Sequence, residues 1–168
     1  MRHGRKVSTQ HPSVHWCDPA SIRFKIAPAD DLKGIKGGDW DLDRRWPVAE
    51  AVKHRAIWAR FRDGQGWEDT ELFQDTYRRR FDEGGSIRGE TTWEALLEQY
   101  YTRVDGMFAS MKERGFDKNA GPLPILYIGR GGEVFIGNQG NHRLAIAQVL
   151  GLKKFAGRIV CRHKTAPR

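Results

Sequence analysis

Four consecutive residues, Gly140-Asn141-His142-Arg143, stand directly before an apolar segment with the composition of a buried helix. The first backbone N–H groups of a helix have no partner inside it and carry the positive end of its dipole. Gly140 allows a ligand to approach the backbone closely, and the three side chains after it add an amide, an imidazole and a guanidinium. The pattern predicts a phosphate-binding site. The alternative is an N-cap at Asn141 beside two solvated side chains.

The elements on either side of this run must hold it in place. Residues 123–137 contain two apolar stretches around Arg130-Gly131-Gly132, which predicts a β-hairpin. Residues 141–150 predict a short helix that is apolar on most sides and stops at Gly151, so it must be largely buried. A strand is predicted over 155–161. The polar run therefore lies at the junction of a hairpin and a buried helix.

The order of hairpin, G-N-H-R-L-A, helix and strand resembles the ParB/sulfiredoxin-like superfamily, whose members carry a G-x-[HR]-R-x-x-A signature after a hairpin. The resemblance covers mainly residues 92–163 and, more loosely, one earlier strand. It implies an α+β fold with a small mixed sheet whose hairpin leads into a buried helix. It also implies that Gly140, Asn141, His142 and Arg143 bind nucleotide phosphates, from ATP or CTP, with magnesium as a candidate ion. Relatives include DNA-partition proteins, nucleases, sulfiredoxins and small-molecule kinases, so function varies on this fold.

Three positions depart from the pattern of these relatives. Sulfiredoxins place a reactive cysteine where this chain has Asn141, which argues against their chemistry. Many relatives have an aspartate where this chain has Gln139, so an acid–base or metal role of that carboxylate is lost. The partition proteins usually have an arginine at the position of His142, which weakens the expectation of their CTP chemistry.

Two carboxylates flank a tryptophan in the glycine-containing loop 34–41. The equivalent loop of relatives faces the nucleotide, so the resemblance makes Asp39 and Asp41 candidates for a catalytic base or a magnesium ligand. In a nuclease, His142 would act as general acid or base and Arg143 would stabilise phosphate charge. The alternative for both aspartates is turn and cap chemistry.

The charge balance favours a polyanionic partner. The chain has 168 residues, with 29 Lys and Arg against 21 Asp and Glu and a formal net charge of +8. Such a balance attracts nucleic acid or anionic substrates. The densest run of charge, Arg78-Arg79-Arg80, and Arg130 on the hairpin turn are candidate nucleic-acid contacts. A solvated helix face is the alternative for the triplet.

Composition also argues against two classes of protein. Cys17 and Cys161 are far apart and outside any C-x-x-C pattern, which favours reduced thiols over a disulfide framework. No apolar run approaches the roughly 20 residues of a membrane span, and the first residues lack the apolar core of a signal peptide. We therefore predict a cytoplasmic protein without a membrane partner.

The length suits one hydrophobic core. We predict a basic flexible arm over residues 1–12 and a single ParB-like domain over 13–168. Alternating apolar and polar residues over 21–26 predict its first strand. Residues 47–90 predict a helical insertion, about which the resemblance says little.

The helices of the central region have recognisable ends. Pro47 suits the first turn of one helix, and a second helix is predicted over 68–81. Thr91 and Glu94 have the spacing of a capping box, which would open the longest helix. That helix is predicted to stop at Arg114-Gly115.

Three functions follow from these features. The first is a ParB-like domain that binds a nucleotide or nucleic acid, as a nuclease or as a DNA-associated regulatory protein. The second is a small-molecule phosphotransferase, in which Asp39 or Asp41 deprotonates an acceptor hydroxyl in a closed pocket walled by residues 64–90. The third is a protein-interaction module without chemistry.

Overall fold

The computed structural model describes residues 14–27 and 30–168 and shows an α+β fold with one mixed seven-stranded sheet. The predicted basic arm over 1–12 lies outside the described residues. The strands, in chain order, are β1 Val14–Cys17, β2 Phe24–Ile26, β3 Gly34–Lys36, β4 Arg45–Pro47, β5 Ile125–Ile128, β6 Val134–Ile136 and β7 Phe155–His163.

The strands lie in the order β1-β7-β5-β6-β2-β4, and β3 also pairs with β7. The predicted hairpin is confirmed, because β5 and β6 are antiparallel with Leu126 opposite Ile136. Strand β7 runs parallel to β5, and the connection between them, which contains β6 and α6, supplies the long crossover that a parallel pair needs. Strand β2 runs parallel to β6 with Lys25 opposite Ile136, which places Lys25 beside the strand that leads into the buried helix.

Six α-helices occur in the described part of the chain: α1 Trp40–Asp43, α2 Val52–Phe61, α3 Arg78–Asp82, α4 Trp93–Leu96, α5 Thr102–Arg114 and α6 Asn141–Val149. Two π-helical segments, Leu72–Tyr77 and Leu97–Tyr101, precede α3 and α5. Helix α4, the second π-helical segment and α5 form one continuous helical segment over 93–114. In the described residues, no helix combines the length and the apolar character needed to cross a lipid bilayer.

Helix α6 is enclosed by the rest of the fold, as its apolar composition predicts. Leu144, Ala145, Ile146 and Ala147 are each at most 1% exposed. They belong to one hydrophobic cluster with residues of α2, of the 93–114 segment and of β5, β6 and β7. The position of α6 is therefore set by the core, and the core also fixes where its N-terminus lies.

Two predicted helix starts are wrong. Pro47 ends β4 with φ −58° and ψ 134°, and α2 begins at Val52. The φ value that proline imposes suits an extended strand end as well as a first helical turn, and here pairing with β2 decides. The predicted capping box at Thr91 also fails, because Thr92 is the N-cap and accepts a hydrogen bond from the N–H of Ala95 at 3.3 Å.

Other boundaries differ by a few residues. The strand predicted over 21–26 begins at Phe24, because Pro19–Ser21 form a 3-10 turn. The helix predicted over 68–81 begins as a π-helical segment at Leu72. The sheet is larger than the small one predicted, because the sequence did not reveal β1, β3 and β4. These strands contain only three or four residues, too few to show an alternation of apolar and polar residues.

The junction between β6 and α6 depends on glycine. Gly140 has φ +95°, in the left-handed region that favours glycine. A Cβ at this position would lie 2.5 Å from the Cβ and 2.9 Å from the Cα of Pro124. Backbone conformation and close packing therefore both exclude a larger residue here.

We expect Gly140→Ala to lower the free energy of unfolding by at least about 2 kcal/mol, because it adds left-handed strain and steric overlap with Pro124. Gly64→Ala is the matched control. Gly64 has φ +75°, and an added Cβ would meet no described atom within 4 Å, so only the strain of about 1 kcal/mol applies. Urea denaturation measures both losses, and equal losses would contradict a role for the Pro124 contact.

Candidate functional site

A cleft of about 540 Å³ opens at the N-terminus of α6. Its walls come from β2, the first turn of α2, the loop before α4 and the 93–114 segment. None of the described residues that line it is an aspartate or a glutamate. Its lining contains four cationic side chains and two imidazoles, which are Lys25, Lys53, Arg88 and Arg143, and His54 and His142. A concave site of this charge suits an anionic ligand.

The first amides of α6 are open, as the sequence predicts. Gly140 is the N-cap residue, no side chain caps the helix, and its first turn contains no acidic residue. Within the described chain, the backbone N–H groups of Asn141, His142 and Arg143 have no hydrogen-bond partner. The Asn141 side chain donates to the carbonyl oxygen of Gly137 at 3.0 Å, so it braces the turn instead of capping the helix.

The first turn of α2 borders the same cleft, which the sequence did not indicate. Ala51, the N-cap residue, and Val52, Lys53 and His54 all line it. Helix α2 has no side-chain cap and no acidic residue in its first turn. Two positive helix ends therefore adjoin one cleft, and Lys53 adds a cation at a position where the helix dipole disfavours one.

Arg143 is buried, and one of its guanidinium nitrogens has no hydrogen-bond partner among the described residues. It lines the cleft and is 8% exposed, and burial lowers the pKa of its guanidinium. One nitrogen, Nη2, donates to the carbonyl oxygen of Pro122, and the guanidinium carbon lies 5.6 Å from the centre of the Phe116 ring. The other nitrogen, Nη1, is buried without a partner among the described residues. A buried cationic donor of this kind is costly unless a ligand satisfies it.

His142 is a neutral imidazole at physiological pH. Burial, together with repulsion from Lys53 and Arg88, lowers its pKa to about 4. Its Nδ1 lies 2.9 Å from the hydroxyl oxygen of Tyr100, whose pKa is raised by burial. When that phenol donates, the imidazole proton sits on Nε2, which can then donate to a phosphate oxygen. A bound anion would offset the repulsion and raise the pKa of His142.

The π-helical segment Leu97–Tyr101 explains how Tyr100 reaches His142. A π-helical turn inserts one residue into the helix and shifts the side chains of that turn, and such turns are frequent at functional sites. Tyr100 lies in this turn, and its ring centre is 5.7 Å from that of His142. The sequence shows only a continuous apolar stripe here, which predicts core packing and hides the polar contact.

Lys25, Lys53 and Arg88 form the remaining positive wall. None of the three makes an ion pair with a described acidic residue. Partial burial and repulsion from Lys53 lower the pKa of Lys25, and partial burial and repulsion from Arg88 lower that of Lys53. Sequence reasoning missed all three, because they come from a strand, a helix and a loop that only the tertiary fold brings together.

Asp39 and Asp41 do not line this cleft, although the sequence placed them near the nucleotide. Asp41 is 2% exposed and accepts hydrogen bonds from the backbone N–H of Arg130 at 2.8 Å and from its Nη2 at 2.8 Å. Asp39 accepts from the same Nη2 at 2.7 Å. The structure thus brings the predicted aspartates to Arg130 and not to His142.

This ion-pair cluster lies at the far end of β6 from the start of α6, since Arg130 precedes the strand and Gly140 follows it. Burial alone would raise the pKa of Asp41, but hydrogen bonds from the Arg130 side chain and backbone outweigh it and lower the pKa. A carboxylate held in this way is a poor general base at neutral pH. The described lining residues of the cleft include no carboxylate, which is the side chain through which proteins usually bind magnesium.

The predicted nucleic-acid contacts also lie apart from the cleft. Arg78, Arg79 and Arg80 are exposed on α3 and do not line it. The guanidinium carbon of Arg78 lies 5.7 Å from the centre of the Trp93 ring. Arg130 is engaged by the two aspartates, which leaves less of its charge available to a partner. A nucleic-acid surface at the triplet stays a prediction.

Comparison with known proteins adds no relative. No family model matches the chain, and no curated protein and no solved structure matches it. The mixed α+β fold is compatible with the ParB-like expectation, while membership of that superfamily remains a hypothesis from the sequence signature.

Arg130→Ala should lower the free energy of unfolding at neutral pH by clearly more than the loss of an exposed ion pair would, because it leaves Asp41 buried and poorly paired. The pKa of Asp41 is lower in the folded chain than in the unfolded chain, where it is about 4. The ionised carboxylate therefore stabilises the fold above about pH 4, and this stabilisation is lost as the pH falls through the pKa of the folded state. The difference between variant and wild type should therefore shrink below about pH 4.

The matched control for this variant is Arg114→Ala. Arg114 pairs with Glu113 at 2.9 Å, but their side chains are 65% and 73% exposed, so the expected loss is below about 0.5 kcal/mol. Urea denaturation between pH 3 and pH 7 would measure both. A loss for Arg130→Ala no larger than the control, or one independent of pH, would contradict the structural role of the cluster.

Proposed function

We propose that this chain is a ParB-like phosphate-binding domain that takes the phosphate groups of a nucleotide, or of nucleic acid, into the cleft at the N-terminus of α6. One observation carries the proposal. Four cationic side chains and the first turns of two helices border a cleft that no described carboxylate lines. Positive groups concentrated in this way repel one another, and a bound polyanion would remove that repulsion.

The size and walls of the cleft favour a nucleotide over a long nucleic-acid strand. A volume of about 540 Å³ is typical of small-molecule sites, which span roughly 300–1,000 Å³. Trp46, Val48 and Met107 give the walls aromatic and apolar surface beside the cations. The formal net charge of +8 and the exposed triplet on α3 support nucleic acid as the other ligand.

Binding is better supported than turnover. A phosphotransferase needs a base near the acceptor hydroxyl, but Asp39 and Asp41 are engaged by Arg130 away from the cleft. Among residues 64–90, which were expected to wall a closed pocket, only Arg88 lines the cleft. His142 stays the acid or base that the sequence suggests for a nuclease, and with a pKa of about 4 it is a weak base in the free protein.

Lys53→Met should weaken phosphate binding at least about tenfold without lowering stability. The variant removes a charge-assisted contact to the ligand, and it also removes a cation that opposes the dipole of α2 and repels its neighbours. Thermal unfolding with nucleotides, single-stranded DNA and duplex DNA, each with and without magnesium, measures both effects. A ligand at 100 times its dissociation constant should add about 2.7 kcal/mol to the wild type.

Lys118→Met is the control, because Lys118 is exposed outside the cleft and the change removes the same formal charge. It should leave the ligand-induced shift intact. A shift that needs duplex DNA and falls steeply with salt would favour the nucleic-acid ligand. Absence of any shift with all the phosphate ligands, or equal losses in the two variants, would refute the proposed function.

A further inference from the structure

Arg88 sits in a turn that strongly prefers other residues. Ile87 and Glu90 exchange two backbone hydrogen bonds, of 2.8 Å and 3.0 Å, around Arg88 and Gly89. Both central residues have positive φ, +54° and +89°, and no other non-glycine residue in the described chain has positive φ. Turns with two positive φ values favour Asn-Gly, Asp-Gly or Gly-Gly. An arginine in the first of these positions costs stability.

The turn presents the guanidinium of Arg88 to the cleft. Its carbon lies 3.8 Å from the centre of the Tyr100 ring, and Arg88 lines the cleft as an exposed residue without an ion-pair partner among the described residues. The hydroxyl of the same tyrosine lies 2.9 Å from Nδ1 of His142. The Tyr100 ring therefore spans the distance between Arg88 and the first turn of α6.

Backbone strain is often found at ligand-binding positions, where the strained residue has a role that a residue better suited to the turn could not perform. Asparagine would fit the turn at lower cost but would bring no charge. The chain instead places a third cation on the wall that already contains Lys25 and Lys53, where its repulsion adds to the effect of burial in lowering the pKa of Lys53 and of His142. In the free protein Arg88 is thus unfavourable for the backbone and for its cationic neighbours, and among the described residues only the Tyr100 ring attracts it.

We propose that Arg88 is a specificity-determining residue that contacts a second phosphate group, so that the ligand is a diphosphate or a longer polyphosphate. This inference rests on the proposed function of the cleft. The open amides of α6 suit one phosphate group of the ligand. Arg88 is separated from these amides by the Tyr100 ring and suits the next phosphate group of the same ligand. Lys53 and Lys25 lie in the same cleft and add charge that a single phosphate would not match.

The test compares inorganic orthophosphate with inorganic pyrophosphate by calorimetry at low ionic strength, using the wild type, Arg88→Asn and Arg114→Gln. The wild type should bind pyrophosphate at least about tenfold more tightly than orthophosphate, which is the effect of one charged hydrogen bond. In Arg88→Asn the preference should fall below about threefold, while orthophosphate affinity changes little. Arg114→Gln removes an exposed arginine at the end of α5, outside the cleft, and should keep the full preference.

Urea denaturation supplies an independent readout. The midpoint for Arg88→Asn should equal or exceed that of the wild type, because asparagine tolerates positive φ better than arginine and this gain offsets the lost contact with the Tyr100 ring. A clear fall in the midpoint, or a pyrophosphate preference that survives in Arg88→Asn, would overturn the role of Arg88. A wild type that binds both anions equally would also overturn it and leave the proposed function standing. A wild type that binds neither anion would refute both.

Discussion

The constraint on which this structure depends is an uncompensated concentration of positive charge. The amides that begin α6, the first turn of α2 and the side chains of Lys25, Lys53 and Arg88 all border one cleft without a described carboxylate. Burial, and after it repulsion from neighbouring cations, lowers the pKa of both lysines and of His142. A fold keeps such an arrangement when a bound anion completes it.

The same chain shows what a compensated charge looks like. Arg130 binds two carboxylates and the carbonyl oxygen of Gly38, which ties the loop before α1 to the hairpin turn. The Nε2–H of His163 donates to the same carbonyl oxygen at 3.0 Å and joins the end of β7 to this cluster. Every charge there has a partner, so the cluster stabilises the fold. The cations of the cleft, by contrast, have no described carboxylate beside them, and we therefore propose that they bind a ligand.

The continuous segment from the hairpin to the final strand could be predicted from the sequence. Hairpin, glycine junction, buried helix and final strand follow one another with clear periods and turn residues, and the structure contains them as β5, β6, α6 and β7. The open amides of α6 follow from the absence of an acidic residue near Asn141. Short strands were missed because three residues, as in β3 and β4, carry no period.

The rest of the site depends on tertiary contacts. Lys25, Lys53 and Arg88 are distant in sequence, and the helix start at Val52 instead of Pro47 is what brings Lys53 to the cleft. Asp41 was misjudged because its partner, Arg130, is 89 residues away and becomes a neighbour only when the sheet forms. Pairings of this range are decided by the core and not by local pattern.

The most direct measurement of the central claim is a ¹H–¹⁵N NMR titration of the whole chain with inorganic pyrophosphate. The account predicts that the backbone amide signals of Asn141, His142 and Arg143 shift most and saturate together, because these groups donate to the anion. If those three signals stay in place while the signals of Arg78, Arg79 and Arg80 move, the anion binds elsewhere and the account is wrong.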